Sequence, residues 1–301
     1  MFPIVSGNTA TPAGNKEGIF GFGHDGGWAS TTNLVSNTGV VSTDVAGVAG
    51  ATGRNQPGAC EYGGDKGIFA YGTGTTPKVN MSNLVSNTGV VASDGPNVGT
   101  GRWCSSGGCA YGGDKGIFAY GNWTGGTTYW NGSNKVSNGG VVASDTAGVG
   151  TARYATSSCE YGEDKGIFVF GEGGGYARNM SNLVSNTGVV SADQSGVGTA
   201  RYYATACSYG APPKDKGIFS YGSYGSVTNL VANTGIVQSD TTAVGTARSS
   251  MAATQYGGDK ALWGFGGSTS DINKISNAGV VAADTSTVAT SRSSTGACSF
   301  N

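Results

Sequence analysis

The charged side chains of this 301-residue chain recur at fixed spacings, as they would in a metal-binding or catalytic array. Six aspartates precede six arginines by eight or ten residues: Asp44, Asp94, Asp145, Asp193, Asp240 and Asp284, and Arg54, Arg102, Arg153, Arg201, Arg248 and Arg292. Five further aspartates come directly before a lysine: Asp65, Asp114, Asp164, Asp215 and Asp259. Carboxylates can bind metal ions, but they also pair with arginine and cap turns. We favour the structural roles, because no Asp-x-Asp-x-Asp-Gly calcium loop is present and no second carboxylate lies near each Asp in sequence.

The sequence has few of the residues and motifs that other kinds of catalysis need. His24 is the single histidine, which excludes a metal site built from two or three imidazoles. A Ser-His-Asp triad would have to use His24 within a glycine-rich loop that lacks a nucleophile motif. Paired carboxylates for glycoside hydrolysis stay open, since a sequence does not give their separation. The Gly-x-Gly pairs lack the Lys-Ser/Thr of a phosphate loop. We therefore expect no enzymatic activity, no metal and no cofactor.

The net charge, the first residues and the cysteines limit the partners and the cellular compartment that we expect. A net charge of −1 gives no general attraction to nucleic acid, and no apolar stretch predicts membrane insertion. Residues 1–15 have no basic region followed by an apolar one, so we expect no signal peptide. Cys104 precedes Cys109 by five residues, and we predict that both lie on the same strand. All the cysteines except Cys104 share one position, two residues before Tyr or Phe: Cys60, Cys109, Cys159, Cys207 and Cys298. Equivalent positions in neighbouring units should be too far apart to bridge, so we expect free thiols and a reducing place of synthesis.

The elements that position these side chains are six copies of one unit. The phrase Gly-Ile-Phe-Gly-Phe-Gly at 18–23 returns in similar form at intervals of 49, 49, 50, 51 and 44 residues. A period near 50 is typical of a four-stranded propeller blade. The chain has 56 glycines and only 12% charged residues, without helical periodicity. Disorder is the alternative for such a composition, and the regularly spaced Ile, Val, Phe and Tyr argue against it.

One unit, residues 54–102, divides into four short strands. A run ending at Tyr62 turns into a second run that is apolar on both faces, followed by a polar run. An Asn-Thr-Gly turn then leads into Val-Val-Ala-Ser-Asp. We predict an all-β fold: a six-bladed β-propeller with four-stranded antiparallel blades, a single domain at 14–301 after a lead segment at 1–13. The last strand should complete the blade that the first strand begins. A capped solenoid is the competing architecture.

The order of Arg, small-residue strand, aromatic strand ending in Gly, polar strand and loop resembles the kelch repeat, from residue 14 almost to the end. The chain departs from kelch in having Val where Trp is usual in the last strand, and mostly one Gly where kelch has two. It also lacks the histidines that kelch-fold oxidases use for copper. The Asn-Thr-Gly-Val-Val-x-x-Asp phrase is similar to degenerate propeller repeats of bacteriophage tail and fibre proteins. That resemblance implies a structural or host-recognition role in a virion.

The segments that differ between the six units lie between the aromatic strand and the polar strand, and just after each arginine. They carry most of the exposed-aromatic candidates: Trp28, Trp103, Trp123, Tyr129, Trp130, Tyr154, Tyr176, Tyr202, Tyr203 and Tyr224. In an up-and-down blade both kinds of segment emerge at one rim, while the opposite rim carries uniform, polar turns. Flat rings beside Asn, Ser and Thr suit sugars, and they equally suit a protein partner. The alternative is that some rings only cover the ends of the blade core.

These observations lead to one functional expectation and two alternatives. We expect a non-enzymatic phage virion module, for structural attachment or for recognition of a host-surface glycan or protein. Its partners would be other virion proteins, the host surface or further copies of the chain, with no nucleic acid and no membrane insertion. The protein would be located in the virion after assembly in the host cytoplasm. The alternatives are a kelch-like protein-interaction adaptor and a soluble lectin.

Overall fold

The computed structural model describes residues 15–47, 50–74, 79–105, 107–124, 128–210, 214–223 and 225–300. The fold is all-β, as predicted, and no helix occurs in these ranges. The predicted lead segment 1–13 lies outside the described residues. The strands are β1 Gly18–Gly21, β2 Thr32–Val35, β3 Gly58–Tyr62, β4 Lys66–Ala70, β5 Ser82–Val85, β6 Gly108–Tyr111, β7 Lys115–Thr124, β8 Thr128–Val136, β9 Ser157–Tyr161, β10 Lys165–Val169, β11 Glu172–Gly173, β12 Tyr176–Ala177, β13 Ser181–Val184, β14 Thr205–Tyr209, β15 Lys216–Ser220, β16 Val227–Val231, β17 Thr241–Thr242, β18 Ala252–Tyr256, β19 Lys260–Gly264, β20 Ile272–Ile275 and β21 Gly296–Ser299.

The strands form six small antiparallel sheets and one separate hairpin, β11–β12. Sheet 1 has the order β21-β1-β2, sheet 2 β3-β4-β5, sheet 3 β6-β7-β8, sheet 4 β9-β10-β13, sheet 5 β14-β15-β16-β17 and sheet 6 β18-β19-β20. In sheet 1 the C-terminal strand pairs with the N-terminal one, with Ile19 opposite Cys298 and Phe20 opposite Ala297. This confirms the prediction that the two ends of the chain share one sheet.

The middle strand of each sheet is buried on both faces, because it lies between the two neighbouring sheets. In β4 the side chains of Ile68, Phe69 and Ala70 are all buried. Edge-to-face aromatic pairs join each sheet to the next: Phe22–Phe69, Tyr71–Phe118, Tyr120–Phe168, Phe170–Phe219, Tyr221–Trp263 and Phe20–Phe265, with ring centroids 4.9–5.8 Å apart. Each pair buries two large side chains and holds their rings in the edge-to-face arrangement that aromatic rings prefer.

The repeated cysteines are explained by the same packing. All six thiols are buried and free. A Cβ added to Gly67 of sheet 2 would overlap Sγ of Cys298 in sheet 1, and Gly116 of sheet 3 meets Sγ of Cys60 in the same way. A small, polarisable side chain therefore fills the space against the glycine of the next sheet. Cys104 does not share a strand with Cys109, contrary to our expectation; it precedes β6, where its Sγ bonds Gly107 O at 3.4 Å.

The six sheets contact one another in chain order, and the sixth contacts the first. Their leading strands β21, β3, β6, β9, β14 and β18 touch in succession, and β18 touches β21. The amide of the glycine that ends each repeated aromatic phrase donates to the carbonyl of the arginine that enters the next sheet: Gly23 to Arg54, Gly72 to Arg102, Gly121 to Arg153, Gly171 to Arg201, Gly222 to Arg248 and Gly266 to Arg292, at 2.8–3.2 Å. All six junctions thus have the same backbone bond.

The expected fourth strand is mostly absent within the described residues. Only sheet 5 has one, the two-residue β17, and elsewhere the outer segment makes single bridges such as Val85 with Val91. A side chain takes over part of the strand pairing: Asn83 Nδ2 of β5 donates to Ala92 O at 3.0 Å and to Asp94 Oδ1 at 2.9 Å. The outer segment is therefore held by an asparagine rather than by a continuous backbone ladder.

Candidate functional site

The two classes of loop lie at opposite ends of the sheets. The variable segments bridge the residues that follow the arginines, as in Asn55 with Thr73 and Tyr154 with Glu172; we call this the variable end. At the other end the Asn-Thr-Gly turns meet the Asp-Lys turns, as where Asn87 Nδ2 donates to Asp65 Oδ2 at 3.2 Å; we call this the uniform end.

The uniform end is only partly polar, whereas we expected it to be polar throughout. The first residue after each Asn-Thr-Gly-type turn is an exposed aliphatic one, with 61–68% of its surface accessible: Val40, Val90, Val141, Val189, Ile236 and Val280. The reason is strand alternation, because the following residue points into the core, as Val41 and Val91 do. The repeated turns therefore present a repeated apolar side chain to solvent.

The recurrent arginines and aspartates form buried braces. The Arg54 guanidinium lies 4.0 Å from the ring centroid of Phe22 and donates from Nη2 to Asn83 Oδ1 at 2.5 Å. Asp94 lies 3.7 Å from Arg54 Nη1 and accepts two bonds from Thr52. Asp94 thus pairs with the arginine 40 residues earlier, which opens its own unit, rather than with the arginine eight residues later. Four other units have the same pairing, with N–O distances of 3.7–3.9 Å: Arg153–Asp193, Arg201–Asp240, Arg248–Asp284 and Arg292–Asp44.

The electrostatics of the braces fit a structural role. Burial lowers the pKa of Arg54 to about 10, and the Asp94 charge opposes that shift. For most of the aspartates burial raises the pKa, but hydrogen bonds from Thr and Asn side chains outweigh it and hold the pKa below the usual value: Asp44, Asp145, Asp193, Asp240 and Asp284. Carboxylates occupied in this way have little capacity left for a ligand.

Neither His24 nor the acidic residues form a metal-binding group in the part of the chain that the structure describes. No cluster of three or more His, Cys, Asp or Glu side chains occurs there with a geometry that could hold an ion. His24 is exposed at the variable end, where its Nδ1 accepts a long bond from Gly26 N at 3.4 Å.

The aromatic residues expected at one rim fall into three groups. Trp28, Trp123 and Tyr176 are exposed, by 48%, 44% and 72%. The half-buried residues are Trp103, Tyr129, Trp130, Tyr154, Tyr202 and Tyr203. Tyr224 lies outside the described residues. Trp123 and Trp130 lie on β7 and β8, which extend the hairpin of sheet 3 well beyond the corresponding strands of the other sheets.

Four tyrosines from three sheets come together at the variable end, and we call them the tyrosine cluster: Tyr129, Tyr154, Tyr202 and Tyr203. The ring centroids of Tyr129 and Tyr154 are 5.9 Å apart, those of Tyr154 and Tyr203 5.9 Å, and those of Tyr202 and Tyr203 5.3 Å. Burial raises the pKa of Tyr154, and its bond with Tyr203 adds to the shift. Burial raises the pKa of Tyr129 and Tyr203 as well, so these three tyrosines are neutral phenols with partly exposed rings.

The backbone holds the centre of the cluster in an unusual conformation. Tyr203 has φ +54°, in the left-handed region, and a main-chain hydrogen bond on each side fixes it there. Its amide donates to Ala155 O at 3.1 Å, and its carbonyl accepts from Ser250 N at 3.2 Å. A non-glycine residue in this region is strained, so the neighbouring sheets must hold it.

Two polar residues of the cluster were not expected from the sequence. Glu172 Oε1 accepts from Tyr129 OH at 3.0 Å and Oε2 accepts from Tyr154 OH at 3.1 Å. Gln56 Nε2 donates to Tyr203 OH at 3.2 Å. Their positions in the sequence could have indicated them. Glu172 opens a variable segment, and Gln56 stands two residues after Arg54, as Tyr203 does after Arg201.

A second polar group lies in the space enclosed by the leading strands. A cavity of about 60 Å³ is lined by residues from all six sheets. Lys214 Nζ lies 2.8 and 2.9 Å from the Glu61 carboxylate oxygens and 4.0 Å from Glu160. Ser299 Oγ also donates to Glu61. Burial raises the pKa of Glu160 to about 7, with Lys214 acting against the shift. Lys214 thus balances the charge of Glu61, which it contacts closely, and lies at the limit of an ion pair with Glu160. The three residues connect different sheets, and we call this group the clasp.

No protein-family model matches the chain, and neither does any curated protein. The described part of the chain contains no helix with the length and apolar character needed to cross a membrane.

Proposed function

We propose that the six sheets are the blades of a six-bladed β-propeller. The proposal is supported by the succession of contacts from sheet 1 to sheet 6 and back to sheet 1. The same backbone bond at all six junctions supports it as well. Radial repetition buries both faces of every middle strand and leaves only short edges, which fits the observed strands, most of which have four or five residues.

We further propose that the chain is a non-enzymatic module of a bacteriophage particle that recognises a host-surface ligand through its variable end. The phage setting rests on the resemblance of the repeated phrase. The recognition role is carried by one observation, the tyrosine cluster with Glu172, because residues of different units converge there at loops that vary between units. Partly exposed aromatic rings on a rigid scaffold supply contact area at low entropic cost.

A glycan array probed with the full chain tests this role. Tyr202→Ala should weaken binding, since hot-spot aromatics lose about 2 kcal/mol or more on truncation. Val90→Thr at the uniform end should bind like the unchanged chain, because Val90 is exposed and far from the variable segments. A chain that binds no glycan, or that binds equally well after Tyr202→Ala, would count against recognition through the cluster.

The second candidate function is association between protein subunits, and the exposed aliphatic residues of the uniform end favour it. The same side chain in six sheets lets two copies of the chain meet through one surface. Native mass spectrometry over a concentration series should then show oligomers that Val90→Lys and Val141→Lys reduce. A strictly monomeric chain that binds glycans alone would instead fit a soluble lectin.

A further inference from the structure

The Glu172 carboxylate carries a charge that no basic side chain of the described residues pairs with. It is half-buried, and its two hydrogen bonds come from the neutral hydroxyls of Tyr129 and Tyr154. The nearby Arg178 donates from Nε and Nη2 to Gly173 O, at 3.2 and 2.8 Å, so the backbone holds its guanidinium. A partly desolvated carboxylate without a counter-charge is unfavourable, which makes this position receptive to a cation.

The carboxylate also has unused bonding capacity. An ionised carboxylate offers about four lone-pair sites, of which the two tyrosines occupy two. Glu172 can therefore accept a further hydrogen bond from a donor on the open side of the cluster. The Oε1 atom of Gln56 also has no hydrogen-bond partner, but it is buried, so a ligand at the exposed surface does not reach it.

The aromatic rings favour the same kind of ligand. A cation within about 6 Å of a ring centroid is attracted by the negative face of the ring. Tyr129 and Tyr154 have centroids 5.9 Å apart with planes inclined at 32°, and Tyr203 meets Tyr154 edge-on at 89°. For a ligand to fit between two rings, the rings would have to be about 7 Å apart, which is the sum of two stacking contacts. A ligand must therefore lie over the cluster, against its exposed surface.

From these three observations we infer that the tyrosine cluster and Glu172 bind an ammonium-bearing ligand, and specifically the amine of an amino sugar. The positive amine would donate to the free lone pairs of Glu172 while its sugar face packs on a tyrosine ring. Charge-assisted hydrogen bonds of this kind are stronger than neutral ones. The choice of a sugar rests on the proposed recognition function; the choice of a cation rests on the charge and geometry at Glu172.

Three monosaccharides that differ at one position test the inference by calorimetry on the full chain: glucosamine, glucose and N-acetylglucosamine. Glucosamine should bind about tenfold more tightly than the other two, whose substituents carry no charge. Glu172→Gln keeps the size of the side chain and an acceptor for a tyrosine hydroxyl but removes the charge, so it should abolish the preference. Glu163→Gln makes the same change in an exposed turn at the uniform end and should leave the preference intact.

The outcomes separate the inference from the proposed function. Equal binding of the three sugars, or an unchanged preference in a folded Glu172→Gln variant, overturns the inference while recognition of sugars stands. Binding of none of the three overturns it as well, and the glycan array then decides recognition on its own. Circular dichroism shows whether a variant that has lost the preference is still folded.

Discussion

Trp123 and Trp130 lie on one extended hairpin, yet their surroundings differ sharply. Trp123 has 44% of its surface exposed, whereas the Trp130 ring lies 4.2 Å from the Arg102 guanidinium, which also stacks on Tyr71 at 3.8 Å. A buried cation covered by an aromatic ring gains from cation–π attraction and loses little to water. Trp130 therefore packs over a brace, while Trp123 is free to contact a partner.

This difference predicts that two alanine substitutions change the free energy of unfolding by different amounts. Trp130→Ala should lower the free energy of unfolding by about 3 kcal/mol, because it uncovers Arg102 and removes a large packed ring. Trp123→Ala should change it by less than about 0.5 kcal/mol. Urea unfolding followed by tyrosine fluorescence measures both. Equal losses in the two variants would show that the hairpin packs as one unit and that Trp130 has no special role.

The roles of single residues could be inferred from the sequence only in part. Comparing the six units correctly assigned the arginines and aspartates to the scaffold, because a repeated residue usually serves the repeated structure. It did not identify the partner of each aspartate, since the ion pair spans 40 residues. It also missed the exposed Val90, because apolar character alone does not say which residue of a Val-Val pair faces the core.

The outer segment of each sheet depends on one asparagine of the third strand. Asn83 is fully buried and bonds Arg54, Ala92 O and Asp94 at once. Asn83→Ala should cost about 3 kcal/mol, since it leaves several buried polar groups unpaired. Hydrogen exchange should also accelerate locally, at residues 90–94. Asn87→Ala is the matched control, because Asn87 is exposed and makes one side-chain bond in the described region, to Asp65. Normal exchange at 90–94 in Asn83→Ala would mean that the backbone bridges suffice.

The strands were predictable where the apolar pattern was strong. The repeated Gly-Ile-Phe run became the middle strand in five sheets, as its equivalent Ala-Leu-Trp did in the sixth, and the run before Tyr62 became a leading strand. The fourth strand was predicted from Val-Val-Ala-Ser-Asp but is reduced to bridges, because the facing asparagine side chain bonds the Ala92 carbonyl and the aspartate accepts from side chains and from Thr52. The hairpin β11–β12 and the extension of β7 and β8 were not foreseen, since their glycines favour turns.

The cycle of contacts depends on the pairing of the two chain ends. β21 supplies one edge of sheet 1, and Arg292 binds Asn33 and pairs with Asp44 in that sheet. Deleting residues 292–301 would expose the edge of β1, which is then free to pair with other chains, and would uncover β18, which β21 contacts. We expect the truncated chain to aggregate or unfold. Sedimentation velocity and thermal melting measure this, and a monomer with an unchanged melting temperature would contradict the closure.

The clasp at Lys214 makes stability depend on pH across the whole assembly of sheets. Glu160 has a folded pKa of about 7, above its ordinary 4.5, because burial favours the protonated form. Its contribution to stability is therefore complete below pH 4.5 and is lost as the pH rises to about 7. The aspartates of the braces act in the opposite direction: their lowered pKa values remove stability as the pH falls below 3.8. Stability should thus be greatest in mildly acidic solution.

Glu160→Gln isolates the first of these effects. The variant cannot ionise, so the loss of unfolding free energy between pH 4.5 and pH 7 should be smaller than in the unchanged chain. Below pH 4 the two proteins should decline together, because the aspartates are the same in both. Glu163→Gln, three residues away in an exposed turn, should follow the unchanged chain throughout. Urea unfolding at a series of pH values gives the three curves. Parallel curves for Glu160→Gln and the unchanged chain would mean that Lys214 keeps Glu160 ionised, and that the clasp is a plain ion pair insensitive to pH in this range.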